Sequence, residues 1–283
     1  MRHHPFRGKY RHGRSAAGAN LRIPAMNQAI SCDPRSMPVL CYHSVDSTWA
    51  SPLVIDSDEF ARQCAWLTRY RQVVPAESLV PVLVQGHRPP PRTVALTFDD
   101  GFEGLYYHAF APLVRNRLPA TVFLVARTLD GGPSHADWLR PPPAQAPSTL
   151  TREQVLEMQA AGITFGSHSY AHHDLTRLTE AECVRDLRES REVLEDLLRR
   201  PVGLVAYPYG LHAPHVRRAA ERAGYAFGLS LPEEHESRDR FAVPRVGVYR
   251  RNQITTLRVK STRWYVTART SRIYALARTA RAR

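Results

Sequence analysis

Residues 94–101 read Val-Ala-Leu-Thr-Phe-Asp-Asp-Gly. The apolar run is too short for a helix and stops at two adjacent carboxylates and a glycine. This pattern predicts a buried strand with Asp99 and Asp100 at its carboxyl end. Two neighbouring carboxylates repel each other, and a bound cation is the simplest compensation. The stretch therefore predicts both a strand of a buried sheet and one half of a cation site.

Two histidines supply the other half of that site. Residues 166–172 read Gly-Ser-His-Ser-Tyr-Ala-His. The imidazoles of His168 and His172 are four residues apart and would project to the same side of a helical turn, a common way to grip a divalent metal. One carboxylate and two imidazoles make three protein ligands and leave a coordination position for water. Such an arrangement is typical of catalytic rather than structural metal sites.

Apolar and amphipathic segments alternate through the middle of the chain, which predicts strands alternating with helices. Two capping boxes, Thr151 with Gln154 and Thr179 with Glu182, mark helix starts. We expect strands over residues 37–43, 94–98, 121–126, 163–168, 203–207, 225–229 and 241–248, and helices over residues 57–70, 103–117, 151–161, 179–199 and 214–223. This order of elements indicates a parallel α/β fold.

Polar residues cluster directly after the predicted strands. These clusters are Tyr42 with His43, Asp99 with Asp100, residues 168–172 and residues 208–210. In an α/β barrel such positions share one rim, where loops build the active site. An open doubly wound sheet would also gather strand ends along one edge, and it remains the alternative fold.

The net charge of +13 is concentrated at the two ends of the 283-residue chain. Residues 1–22 contain six Lys or Arg and residues 249–283 contain ten, without an acidic residue in either segment. We expect a disordered basic tail over residues 1–36, one catalytic domain over residues 37–248 and a basic extension over residues 249–283. The tails are either simply solvated or attracted to an anionic membrane surface, and no recognisable nucleic-acid-binding motif accompanies them.

Features that would direct the chain into or across a membrane are absent from the sequence. No apolar run reaches the roughly 20 residues needed to span a bilayer, and none follows the basic amino terminus as a secretory signal requires. The four cysteines form no C-x-x-C pair and are expected to be free thiols in a reducing compartment. We therefore expect a cytoplasmic protein, with basic tails able to hold it at the inner face of the cell membrane.

Three motifs occur in a fixed order, each after a predicted strand: Thr97-Phe98-Asp99-Asp100-Gly101, His168-Ser169-Tyr170-Ala171-His172 and Tyr207-Pro208-Tyr209-Gly210. In this order they resemble the polysaccharide deacetylases of carbohydrate esterase family four, the NodB-homology domain, over residues 37–248. Residues 38–44 resemble the branch that deacetylates exopolysaccharides such as poly-N-acetylglucosamine, in which an amino-terminal Tyr-His replaces a carboxyl-terminal Leu-x-His. The resemblance implies a single distorted (β/α) barrel of about seven to eight strands, flanked by irregular basic tails.

The resemblance also implies a reaction, namely hydrolysis that removes N-acetyl groups from an amino-sugar oligo- or polysaccharide and releases acetate. Asp100, His168 and His172 would hold one divalent metal ion, Zn²⁺ in the first place, with Co²⁺, Ni²⁺ or Mn²⁺ as alternatives. Asp99 would be the general base. His43 would be the general acid that protonates the leaving amine.

Further residues would support this chemistry. The backbone N–H of Tyr209 would help to stabilise the oxyanion, with Pro208 holding the turn. Tyr42 and Tyr209 are candidate substrate contacts because sugar rings stack on aromatic side chains, and ordinary rim aromatics are the alternative. Many family members carry an arginine before Pro-Tyr-Gly that pairs with the catalytic carboxylate, but residues 206–207 are Ala-Tyr here. Arg245 is the candidate replacement, with a surface arginine as the alternative.

Several of these residues also have purely structural interpretations. Asp99 could cap the following helix, His43 could be a hydrogen-bonded core histidine, and His173 could act as the ligand in place of its neighbour. Trp49 and Trp138 are candidate sugar platforms, although packing in the core or in a loop is the favoured interpretation. These alternatives remain open at the level of the sequence.

Two other functions compete with N-deacetylation. One is an amidohydrolase of the same scaffold that acts on a non-sugar amide or a cyclic imide, and the other is a non-catalytic basic binding protein. The complete set of one carboxylate and two imidazoles, together with a second carboxylate as base, argues against both. The sequence does not determine the glycan, the acetyl group that it loses or the oligomeric state.

Overall fold

The computed structural model describes residues 38–231, 239–262 and 264–265, and its elements alternate as the sequence pattern indicates. The strands are β1 (Val39–Tyr42), β2 (Ser44–Val45), β3 (Val54–Ile55), β4 (Gln72–Val73), β5 (Thr93–Phe98), β6 (Thr121–Leu124), β7 (Thr164–Ser167), β8 (Leu204–Ala206), β9 (Phe227–Ser230), β10 (Val243–Pro244) and β11 (Val246–Gly247). The α-helices are α1 (Ser57–Tyr70), α2 (Ala76–Val84), α3 (Ala111–Arg115), α4 (Arg152–Ala160), α5 (Glu180–Leu198), α6 (Pro214–Arg222) and α7 (Ile254–Lys260).

Parallel pairing joins most of these strands into one nearly closed sheet. The order around it is β10-β9-β8-β7-β6-β5-β1-β11, with β4 attached to β5 outside this path. β10 and β11 are separated in the chain only by Arg245, so this closing segment pairs with β9 on one side and with β1 on the other. The prediction of a distorted (β/α) barrel of about seven to eight strands is confirmed, and the open doubly wound alternative is wrong.

Strand β5 lies in the barrel wall with a neighbouring strand on each side. All six of its residues are buried, and it pairs in parallel with β1 on one side and with β6 on the other. A strand that is covered on both faces carries a continuous apolar run rather than an alternating one. The apolar run of residues 94–98 therefore has a structural cause, and the strand delivers Asp99 and Asp100 to the edge where β1, β7 and β8 also end.

Both predicted capping boxes are present. Thr151 and Gln154 open α4, and Thr179 and Glu182 open α5, each pair exchanging side-chain and backbone hydrogen bonds. Each box satisfies two backbone N–H groups that have no partner within the helix. The two helices begin where the sequence predicted, because this signal is local and does not depend on the rest of the fold.

The segment after β5 differs from the single helix predicted over residues 103–117. Leu105–Phe110 form a π-helical segment, and only Ala111–Arg115 form an α-helix. Pro112 contributes to the break because it has no backbone N–H to donate, so regular α-helical bonding does not run through it. Helix α2 and the two-residue strands β2, β3 and β4 are further elements that the sequence analysis did not predict.

The carboxyl-terminal extension differs from the irregular tail expected beyond residue 248, because it begins with helix α7. Leu257 is fully buried, and the Lys260 ammonium donates hydrogen bonds to the Gly247 carbonyl at 2.6 Å and to Asn252 Oδ1 at 2.8 Å. The predicted tail over residues 1–36 and most of residues 263–283 lie outside the described residues. Among the residues that are described, none of the helices combines the length and apolar character that crossing a bilayer requires.

Candidate active site

The carboxyl ends of the barrel strands open into a pocket of about 640 Å³, a size suited to a small ligand or one sugar unit. Six of the predicted site residues line this pocket: His43, Asp99, Asp100, His168, His172 and Tyr209. The other three predicted residues, Tyr42, Pro208 and Arg245, are buried and do not line it. Segments that are far apart in sequence therefore meet at one place, as the barrel topology requires.

Three potential metal ligands converge inside the pocket. Asp100 Oδ1 lies 3.1 Å from His172 Nε2 and 3.6 Å from His168 Nε2, and all three side chains are buried. Within the described residues Asp100 Oδ1 has no hydrogen-bond partner of good geometry. A buried carboxylate oxygen without a hydrogen bond, facing two imidazole nitrogens, is a donor set that fits a divalent cation.

His168 is held in the tautomer that a metal ligand needs. Its Nδ1 lies 2.8 Å from the carbonyl oxygen of Ala206, and because a carbonyl can only accept, Nδ1 carries the proton. Nε2 therefore presents its lone pair to the pocket. Burial lowers the pKa of His168 to about 4, so the ring stays neutral, and able to coordinate, at neutral pH.

The backbone around this donor set adopts the left-handed conformation at three non-glycine residues. The φ angles are 69° at Asp100, 67° at Ser169 and 58° at His172. Such angles cost free energy in L-residues and persist only where the surrounding structure enforces them. Gly101 follows with φ +65°, and a Cβ there would approach Leu124 Cδ2 to 2.8 Å, which explains the glycine of the Asp-Asp-Gly motif.

Asp99 makes a buried, two-pronged ion pair with Arg245. Arg245 Nη1 donates to Asp99 Oδ1 and Nη2 donates to Oδ2, each at 2.7 Å. Cys41 Sγ lies 3.3 Å from the same Oδ2 and completes this environment. Burial alone would raise the pKa of Asp99, but the charge of Arg245 outweighs it, helped by His168, and holds that pKa well below its usual range. The structure thus brings together the residues predicted as base and as its arginine partner.

His43 lines the pocket close to Asp99. One of its ring nitrogens is within 4.8 Å of an Asp99 carboxylate oxygen, and the ring stacks on Tyr249 with centroids 6.1 Å apart. Its Nδ1 is buried without a hydrogen-bond partner among the described residues. The interpretation of His43 as a hydrogen-bonded core histidine is therefore not supported, and its role as general acid stays a prediction.

The substrate contact predicted for Tyr42 is wrong. The ring is fully buried between Phe60 and Phe98, and its hydroxyl donates to Gln63 Oε1 at 3.0 Å. A ring without exposed surface cannot stack on a sugar. Because both faces of β1 are covered, position in the strand does not reveal which side chain reaches the pocket, and Tyr42 belongs to the core.

Tyr209 stands at the rim of the pocket. Half of its side chain is exposed, and the ring meets His172 edge-on at 4.8 Å. Its backbone has φ 60°, directly after the buried Pro208, so the turn aims the Tyr209 residue over the pocket. Trp138 also stacks on His172, with ring centroids 4.9 Å apart, and is buried, which favours the packing interpretation. Trp49 packs edge-on against Phe102 at the pocket lining.

One residue with a role at the site was not identified from the sequence. Asp186 on α5 accepts hydrogen bonds from the backbone N–H of Tyr170 at 2.9 Å and of Ala171 at 3.4 Å, and so anchors the loop that presents His172. Burial raises the pKa of Asp186. His173 Nδ1 lies 3.8 Å from the same carboxylate, and His173 is exposed and is not part of the donor set. The only sequence signal was an acidic residue on the buried face of an amphipathic helix.

Comparisons with known proteins agree with this arrangement. A family model described as Polysaccharide deacetylase matches residues 86–228, half of the chain. The chain is 29% identical over 219 residues to YxkH of Bacillus subtilis (strain 168), covering 76% of this chain and 72% of that protein. It is 26% identical over 154 residues to the poly-beta-1,6-N-acetyl-D-glucosamine N-deacetylase of Staphylococcus aureus (strain MRSA252), covering 51% of this chain and only 50% of that protein.

A solved structure extends the likeness to the fold. IcaB from Ammonifex degensii superimposes with a TM-score of 0.66 and 25% sequence identity, covering 82% of this chain and 97% of that one. The family match contains the Asp-Asp-Gly, His-Ser-Tyr-Ala-His and Pro-Tyr-Gly motifs, but it excludes His43 and Arg245. His43 lines the pocket and Arg245 lies behind it against Asp99, and the family model does not cover either of these two positions.

The anchoring of the His172 loop by Asp186 can be tested by metal titration. We expect Asp186→Ala to lower the affinity of the protein for Zn²⁺ by about 10–100-fold, because the loop loses the acceptor that fixes its backbone. Calorimetric titration of chelator-treated protein measures this affinity. Glu189→Ala, an exposed change on the same helix, is the matched control. Unchanged Zn²⁺ affinity in folded Asp186→Ala protein would contradict the role.

The buried ion pair can be tested by urea unfolding. We expect Arg245→Met to lower the free energy of unfolding by about 3–5 kcal/mol, since Asp99 would remain as an uncompensated buried charge. Arg222→Met removes an exposed arginine that pairs with Glu180 and serves as the control, with little change expected because water screens that pair. A loss for Arg245→Met no larger than that of the control would reject the stabilising role of the pair.

Proposed function

The chain belongs to the polysaccharide deacetylase family, and we propose that it is a metal-dependent hydrolase that removes N-acetyl groups from an amino-sugar oligo- or polysaccharide and releases acetate. The observation that carries the proposal is the division of labour between two adjacent carboxylates in one pocket. Asp100 faces two imidazole nitrogens, whereas the Asp99 carboxylate forms an ion pair with Arg245. Metal-dependent hydrolysis of an amide uses both a cation site and a separate, ionised general base.

Asp100, His168 and His172 are the residues that would hold the metal. The donor set of one carboxylate oxygen and two imidazole nitrogens, all within 4.8 Å of one another, suits Zn²⁺ and also accepts Co²⁺, Ni²⁺ or Mn²⁺. When bound, a divalent cation acts as a Lewis acid that lowers the pKa of water and polarises a carbonyl. We propose Zn²⁺ as the resident ion.

The chain's own residues would move the protons. Asp99, kept ionised by Arg245, takes a proton from the attacking water while the water oxygen bonds to the acetyl carbon. His43 gives a proton to the sugar nitrogen as the carbon–nitrogen bond breaks, so acetate and a free amine leave. The unpartnered Nδ1 of His43 and its position beside Asp99 support this assignment.

The turn of Pro208 and Tyr209 would stabilise the charge that develops on the acetyl oxygen. The backbone N–H of Tyr209 is the proposed donor, and the restricted φ of Pro208 holds the turn in place. The exposed half of the Tyr209 ring is available to contact the sugar, so this residue would serve both in binding and in catalysis.

The names of the relatives support an amino-sugar polymer as substrate. The Staphylococcus aureus relative is a poly-beta-1,6-N-acetyl-D-glucosamine N-deacetylase, although this chain spans only about half of its length. A complete metal-ligand set argues against the related amidohydrolases that act on non-sugar amides or cyclic imides. The ionised Asp99 carboxylate in the lining of the pocket argues equally against a non-catalytic binding protein.

Acetate release tests the proposal directly. We expect the protein to release acetate from N-acetylglucosamine oligosaccharides, and a strong chelator to abolish this activity until Zn²⁺ is restored. Asp99→Asn should lower kcat by a factor of about 10²–10⁴, and His43→Ala by a similar factor, since each removes a proton-transfer group. Asp196→Asn, an exposed change on α5, is the matched control for Asp99→Asn.

Two results would count against this reaction scheme. Acetate release that survives complete removal of metal would exclude the cation from the reaction. Full activity of His43→Ala would exclude His43 as the acid and would leave the metal and Asp99 assignments standing. Because the two variants and the chelator address separate groups, each part of the scheme can fail independently of the others.

We further propose that the protein works in the cytoplasm at the inner face of the cell membrane, held there by its basic terminal segments. The support is electrostatic: residues 1–22 and 249–283 together carry sixteen basic residues and no acidic one. Clusters of this kind are attracted to anionic headgroups, and the attraction weakens with salt.

Vesicle sedimentation tests the membrane contact. We expect the protein to pellet with phosphatidylglycerol vesicles at low ionic strength and to be released at about 0.5 M salt, because salt screens the attraction between basic residues and anionic headgroups. The protein should not pellet with phosphatidylcholine vesicles, which carry no net charge. Protein that stays in the supernatant with anionic vesicles even at low ionic strength would refute the contact.

A further inference from the structure

A second cavity adjoins the active-site pocket. It has a volume of about 580 Å³, and four of its lining residues, Ala50, Ser51, Pro52 and Tyr249, also line the active-site pocket. The remaining lining residues are Arg250, Arg251 and Asn252. We call this cavity the basic pocket. A substrate that reaches the Asp-His-His donor set can extend along the shared wall, past Tyr249, into the basic pocket.

Among the described residues, no acidic side chain compensates the charge of the basic pocket. Arg250 and Arg251 are both exposed, and the described residues that line the cavity include no carboxylate. In the part of the chain that the structure describes, neither arginine forms an ion pair, whereas Arg218 and Arg222 both pair with Glu180. The basic pocket therefore has a net positive potential beside a site that hydrolyses amides, and it attracts an anion.

The two guanidinium groups differ in how they are held. Arg250 Nη1 donates to the Trp49 carbonyl at 3.2 Å, and the Arg250 backbone N–H donates to the Pro52 carbonyl at 2.9 Å, which fixes this residue against the shared wall. Within the described ranges, the other N–H groups of the Arg250 guanidinium and the whole Arg251 guanidinium have no hydrogen-bond acceptor. Arg140, also without an ion pair among the described residues, lines the active-site pocket.

We propose that the basic pocket binds a phosphoryl group carried by the substrate, so that the preferred substrate is an N-acetylated amino sugar attached to a phosphate or diphosphate. This inference rests on the function proposed above and narrows its substrate class. Guanidinium groups from two consecutive residues supply positive charge and N–H donors that suit phosphoryl oxygens better than the neutral hydroxyls of a plain glycan. The same chemistry occurs in soluble nucleoside diphosphate sugars and in polyisoprenyl diphosphate sugars.

Kinetic comparison of three substrates tests the proposal. Acetate release is measured from a neutral N-acetylglucosamine oligosaccharide, from uridine diphosphate N-acetylglucosamine and from polyisoprenyl diphosphate N-acetylglucosamine in detergent. We expect at least one phosphorylated substrate to have a kcat/KM about tenfold or more above that of the neutral one, in line with hydrogen bonds between charged groups. Preference for the nucleotide sugar indicates a soluble substrate, and preference for the polyisoprenyl compound indicates a lipid-linked one.

Arginine variants show whether the basic pocket causes the preference. In Arg250→Ala/Arg251→Ala the ratio of kcat/KM for the phosphorylated to the neutral substrate should fall to near one, mainly through KM. The double variant Arg185→Ala/Arg188→Ala removes the same charge from the exposed face of α5 and should keep the wild-type ratio. Equal kcat/KM for all three substrates in the wild type, or an unchanged ratio in the Arg250/Arg251 variant, would overturn the proposal.

A binding measurement separates this inference from the proposed reaction. Uridine diphosphoglucose has the diphosphate but no acetamide, so its affinity is measurable by calorimetry whether or not the protein releases acetate. We expect binding to the wild type and about tenfold weaker binding to Arg250→Ala/Arg251→Ala. Equal affinities would reject the phosphoryl site, whereas failure of all three substrates to release acetate would reject the proposed function alone.

Discussion

The buried ion pair between Asp99 and Arg245 is the interaction on which both the barrel and its active site depend. Arg245 is the single residue between β10 and β11, where the closing segment passes from β9 to β1. Its guanidinium extends into the barrel and meets Asp99 at the tip of β5 with two hydrogen bonds of 2.7 Å. Both charges are removed from water, which is costly unless each is fully matched. Closure of the barrel and ionisation of the proposed base are therefore one physical constraint.

The same ion pair explains how two adjacent carboxylates can be buried side by side. Their mutual repulsion would raise the pKa of one of them if both faced the same environment. Instead, Asp99 turns toward an arginine, while the left-handed backbone at Asp100 turns that side chain toward His168 and His172. One carboxylate is neutralised by the protein, and the other keeps an oxygen without a hydrogen bond for a cation. The Asp-Asp-Gly motif thus places two carboxylates with different partners in consecutive residues.

Local and pattern-based signals were enough to predict the barrel and most of the site. The apolar run before Asp99 identified a buried strand, and the capping boxes at Thr151 and Thr179 located two helix starts. Tyr42 could not be placed in this way, because a strand whose residues are all buried shows no alternation to tell the pocket side from the core side. Asp186 could not be found either, because its importance comes from two backbone N–H groups sixteen and fifteen residues away that only the folded chain brings to it.

Backbone strain in the candidate site is found in the turns that follow the strands and not in the strands themselves. The strands carry the side chains to the rim with ordinary backbone geometry, but the donor set itself sits on turns where Asp100 and His172 adopt positive φ. Turns of this kind hold their shape only if the neighbouring structure leaves no other arrangement. Gly101 packed against Leu124 on one side, and the Asp186 carboxylate on the other, provide that restraint. The geometry of the candidate cation site therefore depends on residues outside the donor set, of which Gly101 belongs to the Asp-Asp-Gly motif and Asp186 to none of the three motifs.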